Sequence, residues 1–250
     1  MRAVQAAAAR HLSASARLRG LSTSQVLGQD PGELFDVLPA PAGTHPVLPG
    51  SAPTPAAGSA PRPRSDVHRE GLWHRSVHLW IVDRHGEVLL QQRSRHKDTW
   101  PLHWDVSCAG HVEAGDDLGV PAVPTAVREL QEELGIDHAA NELDYLFTYA
   151  SSSRGMTEAH GAWQNNEYQD VFLLRLQAAH ADVGYVTDAS GQSEVASLRW
   201  ETPSRLRDAL HCANPGDNRP HWTGGLFVPR SDAYCDPLFR AISQDVSLYR

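Results

Sequence analysis

Residues 128–136 read Arg-Glu-Leu-Gln-Glu-Glu-Leu-Gly-Ile. On a helix, Glu129, Glu132 and Glu133 fall at i, i+3 and i+4 and share one face, while Val127, Leu130 and Leu134 take the other. Three like charges side by side repel, by about 0.2–0.5 kcal/mol per pair even in water. Arg128 supplies part of the compensation. A hard divalent cation, Mg²⁺ or Mn²⁺, suits the rest, because such ions take oxygen ligands and keep waters for a phosphate. The chain can therefore seat this helix by its apolar side on a core, while its acidic side either faces solvent or lines a cation site. Pro124 stands at the helix start and Gly135 just past its end, as capping preferences require. Upstream lies a glycine loop, Gly110-His-Val-Glu-Ala-Gly-Asp116.

Around the helix, strand and helix signals alternate. Ser76–Val82 and Glu87–Gln92 flank the turn Asp83–Gly86 and read as a hairpin. Trp104–Cys108, Leu143–Tyr149, Glu167–Leu176 and Ala196–Trp200 read as further strands. Ser204–Leu210 and Asp236–Val246 read as helices. This mixture predicts an α/β (α+β) layered domain. It would occupy residues 67–250, a comfortable size for one domain.

The 250 residues carry a formal charge of −8. Four of the 22 basic residues and none of the 30 acids lie within the first 29 positions, so the rest carries about −12. A body that acidic is a poor partner for a nucleic-acid polymer. A small anionic substrate is still accessible if a cation stands between. No run of 18 apolar residues exists, which excludes a membrane-spanning helix as a partner of the bilayer. Cys108, Cys212 and Cys235 are too sparse for a disulfide scaffold or a paired metal motif.

Residues 1–28 are rich in Ala, Arg and Ser and free of acid, the composition of an organelle transit peptide. The expected address is mitochondrion or plastid, otherwise the cytoplasm. Residues 29–66 include eight prolines between Pro39 and Pro63. Such a stretch is expected to be an extended, poorly ordered linker.

The glycine loop and glutamate helix together resemble the signature box of the Nudix hydrolases. Gly110, Arg128, Glu129, Leu130, Glu132, Glu133, Gly135 and Ile136 match that pattern. Asp116 stands where the family has Glu, and eleven residues rather than seven separate it from Arg128. The extra four fall in the segment 117–124. The resemblance implies an αβα sandwich with a mixed sheet and hydrolysis of a small-molecule diphosphate substrate. It implies that Glu129, Glu132, Glu133 and the Gly110 carbonyl hold the metal, with Glu194 a further candidate general base beside Glu132 and Glu133. Many members pair, so a homodimer stays open.

The segment Leu89–Ser94 resembles the phrase that ends the strand-turn-strand ahead of the family's box, and the phrases around His74, Trp100 and Cys108 resemble the branch near type I isopentenyl-diphosphate isomerase. There Arg93 and Lys97 match positions that hold the diphosphate. His74, His111, Glu167 and, more loosely, His68 match a second metal site. The isomerase also needs a thiol where this chain has Ala109 and a carboxylate where it has Asn165. Cys108 is one residue early, and one step along a strand turns a side chain to the opposite face. Hydrolase is the favoured reading. An isomerase-like enzyme and a catalytically silent binding domain are the alternatives. Trp73, Trp100, Trp104 and Trp163 are candidates to line the pocket, and Trp80 to join the core.

Overall fold

The computed structural model describes residues 32–42, 47–48, 50, 52–97, 99–137, 140–157, 161–179, 194–212 and 226–244. The segment read as a transit peptide lies outside them. The predicted hairpin forms as β4 (Trp73–Val82) and β5 (Val88–Arg93). Two long strands, β8 (Leu143–Thr157) and β9 (Gly161–Arg175), pair antiparallel. β9 runs parallel to β4 from Asn166 to Arg175, along the whole of β4. β10 (Val195–Glu201) closes one edge on β5, and β2 (Val47–Leu48) borders β8 at the other. Two short strands, β6 (Trp104–Asp105) and β7 (Cys108–His111), branch onto β5 and β4. The sheet is mixed, as expected.

The C-terminal parts of β4 and β9, Leu79–Val82 and Val171–Leu174, are buried on both faces and read as continuous apolar runs. Period-2 alternation sends Val77, Leu79, Ile81, Phe172 and Leu174 to one side. There they meet Ala126, Leu130 and Leu134 of the glutamate helix. Trp80, Val82, Val171 and Leu173 point to the other side. They pack on Leu206 and Leu210 of α3 (Pro203–Cys212) and on Tyr234, Leu238 and Phe239 of α4 (Asp232–Gln244). The result is a three-layer sandwich with one helical layer per face.

The glutamate helix begins as α2 (Val123–Glu129) and widens into a single π-helical turn at Leu130–Leu134. Gly135 ends it at φ 66, a left-handed conformation that glycine adopts without a Cβ clash.

The described part of residues 29–66 is a correction to the linker expectation. β1 (Leu34–Phe35) pairs with β3 (Arg62–Pro63), and α1 (Arg64–Glu70) follows directly. Phe35, Leu38 and Ala52 are buried. Leu38 and Ala52 form a small third core with Tyr168, against which Leu48 and Trp73 pack. Proline-rich chain lacks amide donors but keeps its carbonyls, and here two tyrosines supply donors: the Tyr168 hydroxyl donates to the Pro39 carbonyl at 2.8 Å and the Tyr145 hydroxyl to the Gly50 carbonyl at 3.3 Å. The folded unit therefore includes a strap of residues before Val67. Replacing Phe35 with Ala should cost about 3 kcal/mol or more in urea unfolding; a cost below about 1 kcal/mol would place the strap outside the cooperative unit.

Candidate active site

β7 and the glutamate helix meet at Gly110. The Glu129 carboxylate lies so close that a Cβ at Gly110 would fall 2.0 Å from its Cδ. Glu133 sits one turn further on. Its carboxylate accepts from the Ala109 amide at 3.1 Å and from Gln91 Nε2 at 3.3 Å. Glu129 and Glu133 are 8% and 9% exposed. Burial, then the neighbouring Glu133 charge, pushes the Glu129 carboxyl up to about 8. Burial also raises Glu133, to about 7, against the opposing pull of Lys97. Two buried carboxylates in one crevice are starved of positive charge, which is the donor set a divalent cation fits. Gly110, paired with Val77 on β4, has no side chain to hold the Glu129 carboxylate away from this point.

Glu132 separates from this pair. It is exposed and accepts from Arg128 at 2.9 Å. Three residues along a helix fall short of a full turn, so Glu132 is rotated toward solvent while Glu133 comes back under Glu129. Arg128 also pairs with Glu129 at 3.0 Å and donates to the His111 carbonyl at 3.2 Å. It supplies the compensation anticipated for it.

Glu194 belongs to the same crevice. Its carbonyl accepts from the Ser94 amide at 2.8 Å, and its carboxylate pairs with Lys97. Its charge helps to raise both Glu129 and Glu133. Arg93, by contrast, is turned into the protein. It donates to the Thr99 carbonyl at 3.1 Å and 3.0 Å, to Thr99 Oγ1 at 3.1 Å, and pairs with Asp105 at 3.3 Å. Asp116 is exposed on its turn. Its neighbour Asp117 makes the helix contact instead, accepting from Thr125 Oγ1 at 3.2 Å.

The opposite face of the same strands carries a second cluster. His68, His74 and His111 bring ligand atoms within 4.8 Å of one another. Glu167 lies 3.8 Å from His74 Nε2 and 3.4 Å from His111 Nε2. His74 is paired with Glu167 across β4 and β9, so both point the same way. Burial pulls His74 down to about 4, which keeps the imidazole neutral and able to bind a metal. Phe35 stacks on His74 and His111 at 5.2 Å and 4.6 Å. Arg64 lies 2.9 Å from His111 Nδ1. Neither residue was signalled by the sequence, because the strap brings them from far along the chain.

Register decides the thiol. Ala109 pairs with His78, on the histidine side, and Cys108 pairs with Leu79, on the glutamate-helix side. Cys108 is fully buried there, and burial followed by the Glu133 charge raises it well above the ordinary thiol range. Among the aromatic candidates, Trp73 meets Tyr168 at 5.1 Å with the rings tilted by 47°, and Trp104 is core. Trp100 and Trp163 meet edge-on at 5.5 Å. Trp80 is core as expected.

The crevice generates a test. Saturating Mg²⁺, at about a hundred times its Kd, should stabilise the protein by about 2.7 kcal/mol. Gly110→Ala should abolish that gain, because the new methyl displaces Glu129; an undiminished Mg²⁺ effect on Tm would exclude the crevice as the cation site.

A NUDIX domain model matches residues 72–220. Nudix hydrolase 3 of Arabidopsis thaliana is 40% identical over 116 residues, covering 46% of this chain and 14% of that protein. An uncharacterized Nudix hydrolase of Clostridium acetobutylicum is 45% identical over 83 residues, 32% of this chain and 38% of that one. Isopentenyl-diphosphate Delta-isomerase of Nocardia farcinica is 30% identical over 175 residues, 69% of this chain and 87% of that one. The chain thus spans well under two thirds of the two hydrolase relatives. The match covers more than half of the chain and takes in the glutamate helix that docks on Gly110, and on that ground the chain belongs to the Nudix family.

Proposed function

We propose that this protein is a Mg²⁺- or Mn²⁺-dependent hydrolase that cleaves the diphosphate linkage of a nucleotide-type or prenyl diphosphate. The observation that carries this reading is the pair of buried carboxylates, Glu129 and Glu133, against the bare backbone of Gly110. These two carboxylates and the Gly110 carbonyl would hold the ion. A cation bound there would neutralise phosphate charge and lower the pKa of a coordinated water. Arg128 orients Glu129, and the Ala109 amide with Gln91 orients Glu133. Lys97 is the cation placed to meet a phosphate oxygen once it exchanges its ion pair with Glu194. Glu194, so released, takes the proton from the attacking water. Glu132, turned to solvent, serves Arg128 rather than the reacting atoms.

The retained histidine cluster favours the isomerase as a second reading. Ala109 and Asn165 weigh against it, because they stand where a thiol and a carboxylate would have to move a proton. Cys108 cannot substitute, since it faces the other layer.

The test is phosphate and pyrophosphate release from a panel of nucleotide, dinucleotide, sugar and prenyl diphosphates with Mg²⁺. One substrate should be hydrolysed, and Glu133→Gln should reduce that turnover about a hundredfold or more. Unchanged turnover in the variant would contradict the assignment. Conversion of isopentenyl diphosphate to its isomer, without hydrolysis, would establish the second reading. Residues 1–28 are proposed to direct the chain to an organelle. Their deletion should abolish import while leaving turnover unchanged, and import of the truncated protein would refute that address.

A further inference from the structure

Four residues in the segment 117–124 lengthen the loop between Gly110 and α2 beyond the family spacing. A longer connection should loosen the helix that carries Glu129 and Glu133. The buried side chain of Arg75, on β4, answers this. Its guanidinium donates to the carbonyls of Asp117 and Val120, within that segment. It also pairs with Asp170 on β9, which is fully buried. The other donors to Asp170 come from the loop's far end and from β8. The Ala122 amide, immediately before α2, donates at 2.9 Å, and Thr148 Oγ1 donates at 2.6 Å. At the loop's near end the Arg75 carbonyl accepts from the Val112 amide at 3.1 Å, two residues past Gly110. Asp117 is held in a left-handed conformation, φ 49, uncommon for a residue other than glycine.

One arginine thus grips the loop at its beginning and its middle, and its carboxylate partner grips its end. Both sit on central strands that cannot shift without disturbing the core. We infer that Arg75 and Asp170 are positioning residues for the metal site: they fix the lengthened loop so that the Gly110 carbonyl and the Glu129 and Glu133 carboxylates converge on one ion. This rests on the metal-dependent reading above. The two side chains touch no substrate; they act through the loop and α2.

Mn²⁺ binding to the full chain, read by electron paramagnetic resonance of the free ion, tests it. The site to follow is the one that Glu133→Gln removes. Asp170→Asn, of the same shape, and Arg75→Lys, which keeps the charge but loses the fork, should each weaken that site about tenfold. Leu238→Ala, in α4 on the opposite face, lowers Tm and should leave Mn²⁺ affinity unchanged, which separates positioning from general stability. If a buried-pair variant fails to fold, Thr125→Val removes only the bond to Asp117 and should still weaken the site a few-fold. Wild-type affinity in these variants would overturn the proposal. Wild-type affinity in Glu133→Gln would overturn the metal assignment itself, and the proposal with it.

Discussion

Two carboxylates buried in one crevice are the constraint on which the rest of this molecule depends. Glu129 and Glu133 are excluded from water, and burial raises both well above the ordinary carboxylate range. Such a pair is costly until positive charge reaches it. Arg128 and Lys97 contribute from the rim, and the remaining deficit is what a divalent cation would satisfy. Gly110 permits the approach, and the π-helical turn at Leu130–Leu134 aims Glu133 at the Ala109 amide. π turns of this kind recur at functional sites.

The sheet separates two chemistries. β7 exposes Gly110 and Cys108 toward the glutamate helix and Ala109 and His111 toward the histidine cluster. Alternation along one short strand therefore decides which site each residue can serve. A thiol one residue later would join the histidines; at position 108 it is only a buried neighbour of Glu133. The strap closes over the histidine side, with Phe35 stacked on His74 and His111 and Arg64 beside the same His111.

Much of this was legible in the sequence. The central strands alternate or run apolar because each faces a helical layer, and the box helix announces itself by its glutamate spacing, Pro124 and Gly135. The losses share a cause. Phe35, Arg64, Arg75 and Asp170 act across tens of residues, and local periodicity carries no record of their partners. The proline-rich segment was misread because composition reports the donors a chain lacks, not the donors its neighbours lend. Matching Asp116 to the family's glutamate rests on counting from the glycine, which cannot see how a lengthened loop turns Asp117 to Thr125 instead. Glu132 was grouped with its neighbours because a helical wheel does not say which edge of the face is buried.

The measurement that reaches the central claim most directly is a ¹³C NMR titration of the glutamate carboxyls, with Glu129→Gln and Glu133→Gln to assign the signals. Without metal, the pair should take up a proton well above the ordinary value of 4.5. Addition of Mg²⁺ should keep both ionised to much lower pH. Two carboxyls that titrate at the ordinary value, indifferent to Mg²⁺, would contradict the account.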